Sequence, residues 1–149
     1  MATKRRKRGQ AGPKPIPRLS IDQAFIGLLI GAMEANHHVS PEEAARAQHM
    51  MWSMKRFRRK SGEVVGKVIA DMKAAVSLHG GKPVVAAASR AIPRRLREAA
   101  FAIVTDLVLV DGTLEASERR FLFDVAADFG LGRARAAQIV DVMRVKNAA

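Results

Sequence analysis

The sequence predicts an all-α protein built as a single bundle of about seven helices. Apolar residues make up 48% of the 149 residues, while aromatic residues make up 5% and tyrosine is absent. This balance, with 26 alanines, suits closely packed helices and disfavours a β-sandwich or an RNA-binding sheet with stacking aromatics. The chain has no cysteine, which excludes a disulfide scaffold, a zinc-thiolate finger and a thiol nucleophile. The fold therefore has to rest on packing alone.

Apolar residues recur at helical spacing from residue 19 onward, and cap residues, glycines and prolines divide this part of the chain into segments. Ser20 suits the N-cap of the first helix, and Ser40 with Pro41 and Glu43 forms the capping-box pattern of the second. The buried face predicted for the first helix holds Ile21, Phe25, Leu28, Leu29 and Ala32. We predict helices over residues 20–35, 40–57, 63–78, a short stretch after residue 83, 94–110, 116–129 and 133–146.

The net charge of +12 is concentrated in two segments. Residues 1–19 hold seven cations and no acid, residues 55–60 hold five cations, and the rest of the chain sums to zero. Prolines at 13, 15 and 17 favour an extended chain, so we expect a disordered basic tail over residues 1–19 and a helical domain over residues 20–149. No apolar segment follows the basic run as in a secretory signal, and the longest apolar runs are too short to span a bilayer. We therefore expect a soluble, cytoplasmic protein.

Two helix-turn-helix segments look alike when the chain is laid over itself with an offset of 75 residues. Residues 24–43 then face residues 99–118, and each segment has an apolar helix, a turn and a glutamate that opens the next helix. The agreement lies in phase rather than identity, so an ancestral duplication and a chance match are both open. It predicts a bundle of two pseudo-symmetric helical hairpin halves.

The turn in the second segment carries the most specific motif of the sequence. Asp111, Gly112 and Glu118 match the last two-thirds of an EF-hand loop, but leucines stand where its first ligands would be. One interpretation is structural, with Gly112 ending one helix and Glu118 capping the next. The other is a weak divalent-cation site built by Asp111 and Glu118 with Asp106.

The stretch LVDGTLEASERRFLFDVAADFGL resembles the TerB-like tellurite-resistance family, and the resemblance covers residues 20–146. It implies an all-helical bundle of two related halves, each centred on an Asp-Gly and Glu turn. Asp111, Gly112 and Glu118 match the second turn, and Asn36 and Glu43 match the first, where His37 replaces glycine. Asn36 and Glu43 thereby join the candidate metal ligands. The resemblance also implies a role in tellurite and stress resistance, complexes with other resistance proteins, and association with the inner face of the membrane.

No enzyme motif stands out. None of the four histidines forms the pair at positions i and i+4 that binds a metal on one helix face, and no glycine-rich phosphate loop or nucleophile elbow is present. Gly27 and Gly31 lie inside the first helix, where we expect them to allow close helix packing. We therefore expect a non-enzymatic protein.

The two basic segments suggest a second class of function. They could neutralise phosphates of nucleic acid or follow anionic lipid headgroups. The alternative is a solubilising tail and a solvated helix end, with Phe57 turned inward. No base-reading helix is evident, so nucleic-acid binding would be nonspecific. The candidate residues are Lys4, Arg5, Arg6, Lys7, Arg8, Lys55, Arg56, Arg58, Arg59 and Lys60.

Residues 98–128 are net negative by five, with seven acids against two arginines. A body that is acidic here and basic elsewhere favours docking to a partner or self-association. The expected function is a TerB-like binding or scaffold module in stress resistance, with other resistance proteins or a second copy as partners. The alternative is a basic protein that binds nucleic acid or docks on an anionic membrane surface.

Overall fold

The computed structural model describes residues 14–35 and 40–149, apart from the side chain of Asp111. It confirms the all-α fold class, and these two ranges contain helices, turns and no strand. The α-helices are α1 (Ile21–Ala35), α2 (Pro41–Ser53), α3 (Gly62–His79), α4 (Gly81–Ala91), α5 (Arg97–Val108), α6 (Ala116–Asp128) and α7 (Arg133–Lys146). Short 3-10 turns span Arg94–Leu96 and Leu109–Asp111.

Helix α1 is the central element of the bundle. Every residue from Ala24 to Ala32 is buried, whereas the sequence predicted a single apolar face. Helices α2 to α6 all contact α1, and α7 packs against α5 at the periphery. A helix that is apolar on all sides is stable only where neighbours cover all of it, which accounts for the position of α1.

Serine caps begin the first three helices. Ser20 and Gln23 exchange two hydrogen bonds, with the Gln23 amide donating to Ser20 Oγ and the Ser20 amide donating to Gln23 Oε1. The same reciprocal box joins Ser40 and Glu43. Ser61 Oγ accepts from the amide of Val64 at the start of α3. The N-caps predicted at Ser20 and Ser40 are therefore confirmed, and each satisfies amides that have no partner within the helix.

Three boundaries differ from the prediction. Helix α2 ends at Ser53, and residues 54–60 form turns instead of continuing the helix toward Phe57. Helix α4 begins at Gly81, before Pro83, because proline is tolerated in a first turn where its missing amide has no helical partner. The predicted helix over 94–110 is divided into α5 and the two 3-10 turns.

Two glycines let α3 and α4 lie close against α1. A Cβ at Gly27 would lie 2.8 Å from Met72 Cε and 3.4 Å from Val84, and one at Gly31 would overlap Val85 Cγ2. The expectation that Gly27 and Gly31 allow close packing is therefore confirmed. Because Gly31 faces Val85 while Gly27 faces Val84 and Ala88, α1 and α4 run in opposite directions.

The predicted tail lies outside the described residues as far as residue 13. Residues 14–20 are non-helical, and Ile16 and Leu19 pack against the core. Contact with the bundle therefore begins before the predicted boundary at residue 20. Within the described ranges, no helix is long and apolar enough to cross a membrane.

Candidate functional site

The two turns that the sequence singled out have the same capping geometry. The amide of Ser40 donates to Glu43 Oε2 at 3.3 Å, and the amide of Glu115 donates to Glu118 Oε1 at 3.1 Å. Both Glu43 and Glu118 stand at the third position of their helix, and each is only 4% exposed. Glu118 therefore caps α6 as the structural interpretation predicts, and Glu43 does the same for α2.

The turn before α6 also has the backbone predicted for it. Gly112 has φ 75° in the left-handed region and donates its amide to the Leu109 carbonyl at 2.9 Å. A left-handed residue closing a helical turn favours glycine, because other residues suffer from a clash of their Cβ. Leu114, two positions on, packs against the core.

The five candidate metal ligands do not all lie in the described part of the chain. Asn36 and the side chain of Asp111 fall outside it. Within residues 14–35 and 40–149, no three His, Asp or Glu side chains lie close enough together to hold one ion. Cation binding at Asp111, Glu118, Asp106, Asn36 and Glu43 therefore stays a prediction.

Asp106 instead joins three helices through cations and an amide. Its side chain is 13% exposed and accepts from Lys146 Nζ at 2.8 Å, Asn147 Nδ2 at 2.7 Å and Arg46 Nη2 at 3.2 Å. Arg46 also donates to Asn147 Oδ1 at 2.9 Å. Burial of the Asp106 carboxyl raises its pKa, but the hydrogen bonds from Lys146 and Asn147 and the charges of Lys146 and Arg46 outweigh this and leave the pKa below its ordinary value. This network fastens α2 and the end of α7 to α5.

Replacing Asp106 by asparagine is expected to destabilise the fold by about 1 kcal/mol at neutral pH, because a partly buried charge network loses its anion. In the wild type the lowered pKa gives stability that is complete above the unfolded-state pKa near 3.8 and is lost as the pH falls through the folded-state value. Urea unfolding between pH 3 and pH 7 checks both effects, and the Asp106→Asn variant should have a flatter acid limb. Asp71→Asn, at an exposed pair with Lys67, is the control and should behave like the wild type.

The ionic contact between α2 and α5 has a counterpart at the equivalent positions in the other half of the bundle. Arg46 on α2 meets Asp106 on α5, and with the offset of 75 residues the equivalent positions are Phe121 on α6 and Gly31 on α1. A Cβ at Gly31 would lie 3.8 Å from the Phe121 ring, so the same pair of positions is in contact in both halves. In one half the contact is an ion pair, and in the other half an aromatic ring packs on a glycine. The shared positions of the two contacts support the two pseudo-symmetric halves predicted from the sequence.

The basic residues after α2 form a loop that is anchored to α1. We call residues 54–60 the basic loop. Arg56 Nη1 donates to Asp22 Oδ1 at 2.8 Å, and Lys60 donates to Asp22 Oδ2. Burial raises the pKa of the Asp22 carboxyl, but the hydrogen bonds and charges of Lys60 and Arg56 outweigh this and hold the pKa below its usual value. Phe57 is 0% exposed, which confirms that it turns inward and fixes the loop to the core.

The structure separates the candidate anion-binding residues into three groups. Arg56 and Lys60 are committed to Asp22. The basic loop leaves its other cations exposed, and the described residues form no ion pair with them. These are Lys55, Arg58 and Arg59. The tail cations Lys4, Arg5, Arg6, Lys7 and Arg8 lie outside the described residues.

A groove of about 870 Å³ runs between α1, α4 and α6. Small apolar and aromatic side chains line its floor, among them Val85 and Phe121. Both signs of charge stand around it, and no ion pair joins them within the described residues. The charged residues are Glu34, Lys82, Arg120, Asp124 and Asp128.

The carboxylate of Glu34 lies over the start of α4. An added Cβ at Gly81 would be 2.6 Å from Glu34 Oε2, and the N-cap of α4, Gly80, provides no side-chain hydrogen bond. A negative charge is favourable at the amino end of a helix. Glu34 therefore stabilises the start of α4 and is also exposed to the groove.

Comparison with family models, curated proteins and solved structures finds no match to this chain.

Sequence reasoning missed the groove and both side-chain networks. Asp22 lies 34 residues from Arg56, and Arg46 lies 60 residues from Asp106. Local periodicity carries no signal for such pairs. The sequence feature that came nearest to indicating these contacts was the offset of 75 residues, because it places Asp106 and Gly31 at equivalent positions.

Proposed function

We propose that this chain is a non-enzymatic binding module, which takes a segment of a partner protein into the groove between α1, α4 and α6. The groove itself carries the proposal, because it combines an apolar floor with three carboxylates that form no ion pair within the described residues, against two cations, Lys82 and Arg120. Its volume lies within the range of about 300–1,000 Å³ found for ligand pockets.

The chemistry of the groove favours a cationic amphipathic segment as the ligand. Asp124 and Asp128 are four residues apart on one face of α6, and Glu34 adds a third carboxylate at the end of α1. Phe121, Ala116 and Ala127 offer apolar surface between them, and the buried Val85 lies beside them. A helix with cations flanking an apolar stripe would bury the stripe and place the cations near the acids.

The resemblance to the TerB-like family supports the same class of function. The resemblance implies two related halves, each centred on an Asp-Gly and Glu turn, and the matching caps made by Glu43 and Glu118 support it. A role in tellurite or stress resistance, with other resistance proteins as partners, belongs to this proposal. Direct chemistry on tellurite does not, because the chain has no thiol to reduce or bind it.

A defined peptide tests the groove. We would titrate the full chain with a helical lysine–leucine peptide of about 14 residues, long enough to form a helix, and follow amide chemical shifts by NMR. We expect shifts at Glu34, Val85 and Phe121. Asp124→Asn with Asp128→Asn should weaken binding by about twofold to thirtyfold, because each exposed ion pair contributes about 0.2–1 kcal/mol.

Two controls make the peptide result decisive. A glutamate–leucine peptide of the same length should bind more weakly than the lysine–leucine peptide. The double variant Glu63→Gln with Asp141→Asn removes two exposed acids outside the groove and should bind the cationic peptide like the wild type. Shifts that avoid α1, α4 and α6, or equal losses in both double variants, would contradict the proposal.

A further inference from the structure

The anchoring of the basic loop by Asp22 brings the two basic segments of the sequence to one end of the bundle. Asp22 lies in the first turn of α1, directly after the segment that holds Lys14 and Arg18. Because Arg56 and Lys60 both bind Asp22, the basic loop, which contains Arg58 and Arg59, lies beside the point where residues 14–20 join α1.

The antiparallel packing of α4 adds more cations to the same end. Gly81 lies by Glu34 near the end of α1, and Val85 lies by Gly31, so α4 runs back toward the start of α1 and finishes beside it. The last turn of α4 and the 3-10 turn that follows carry three exposed arginines. These are Arg90, Arg94 and Arg95.

We call this surface the basic end and define it by its eight exposed cations. Their positive charge is opposed by few free acids. Asp22 is neutralised by two cations, and Glu98 at the start of α5 pairs with Arg135 Nε at 2.8 Å. Glu63, at the start of α3, is exposed nearby, as is Asp128, which precedes Phe129, whose carbonyl accepts from Arg97 Nη1 at 3.2 Å. The eight cations are Lys14, Arg18, Lys55, Arg58, Arg59, Arg90, Arg94 and Arg95.

Apolar side chains near the basic end are mostly turned inward. Phe57 is fully buried and Trp52 is half-buried against the core. Docking on a membrane surface usually adds apolar or aromatic side chains that enter the lipid, and binding of single-stranded nucleic acid usually adds exposed aromatics for the bases. Val64 is the large apolar side chain exposed near this end within the described residues. An arginine-rich surface without an aromatic platform is suited to phosphates held on a rigid duplex.

We propose that the basic end binds double-stranded nucleic acid through its phosphate backbone, without reading sequence. Guanidinium groups of Arg18, Arg58 and Arg94 donate paired hydrogen bonds to phosphate oxygens, as planar guanidiniums do. The surface differs from the groove, so this proposal does not depend on a partner protein.

Salt dependence of duplex binding tests the proposal. Binding of the full chain to a labelled DNA duplex of about 20 base pairs would be followed by fluorescence anisotropy between 50 and 300 mM salt. With at least five phosphate contacts, the logarithm of the association constant should fall against the logarithm of salt concentration with a slope of about −4.5 or steeper. A scrambled duplex and an RNA duplex should bind with similar affinity.

A pair of matched variants locates the surface. Arg58→Ala with Arg59→Ala should reduce the slope by about two and weaken binding by about tenfold to a hundredfold near 0.1 M salt, because two phosphate contacts are lost. Arg119→Ala with Arg144→Ala removes the same charge from exposed positions in α6 and α7 and should leave the slope unchanged. Circular dichroism melts would confirm that both variants are folded.

Three results would overturn the proposal. Equal losses in the two double variants would show that net charge acts without a defined surface. No loss in either would show that Arg58 and Arg59 make no phosphate contact, which contradicts the surface proposed here. Tighter binding to vesicles of phosphatidylserine and phosphatidylcholine than to the duplex, at equal salt, would assign the basic end to a membrane.

Discussion

Replacing Phe57 by alanine is expected to lower the free energy of unfolding by about 3–5 kcal/mol. The ring is 0% exposed and belongs to the core cluster, although it lies in a turn segment between α2 and α3. Its removal leaves a cavity that the loop cannot fill, because Arg56 and Lys60 are held on Asp22 at either side. Chemical denaturation with urea measures the effect.

Phe123 provides the matched control for this substitution. It is also a phenylalanine, but it is 60% exposed on α6, so Phe123→Ala should change the free energy of unfolding by about 0.5 kcal/mol or less. Equal effects of the two substitutions would contradict the burial of Phe57. The Phe57→Ala variant should also expose Arg58 and its neighbours to faster cleavage by trypsin, since Phe57 fixes the basic loop.

Replacing Gly31 by valine is expected to destabilise the protein by about 3 kcal/mol or more, and replacing it by alanine by about 1–2 kcal/mol. A Cβ at this position overlaps Val85 Cγ2 while it lies in ordinary contact with the Phe121 ring, so α4 would have to move away from α1. The better helix propensity of alanine, about 1 kcal/mol over glycine, offsets only part of this cost.

Two further variants separate the steric effect from helix propensity. Gly66 lies within α3 with nothing within 4 Å of an added Cβ, so Gly66→Ala should stabilise the protein by about 0.5–1 kcal/mol. Combining Gly31→Ala with Val85→Ala should cost less than the sum of the single changes, because the truncated side chain leaves room for the new methyl group. Additive effects in that double-mutant cycle would show that Val85 is not the obstacle.

Much of the helical architecture could be predicted from the sequence. The boxes at Ser20 and Ser40 are local signals, because a side chain three positions away from the cap completes each of them. The end of α2 was predicted wrongly, since apolar spacing continues to Phe57 while the chain turns after Ser53. Phe57 is therefore buried, as the apolar spacing predicts, although it does not lie in a helix.

The candidate sites could be predicted only in part. The sequence shows that the positive charge is concentrated on the tail and on the basic loop, but the charges of the remaining residues sum to zero. That sum concealed Arg90, Arg94 and Arg95, because acids elsewhere in the chain balance them. Only the antiparallel packing of α4 on α1 shows that these arginines share one end with the basic loop.

We propose that charge defines two surfaces with separate functions, and that the basic end binds the duplex. Amide NMR of the full chain with a DNA duplex of about 20 base pairs tests it most directly. We predict chemical-shift changes at Arg18, Arg58 and Arg94 that saturate together and disappear in high salt, with the amides of Asp124 and Val85 unchanged. Changes centred on the groove, or confined to residues 1–13, would contradict the claim.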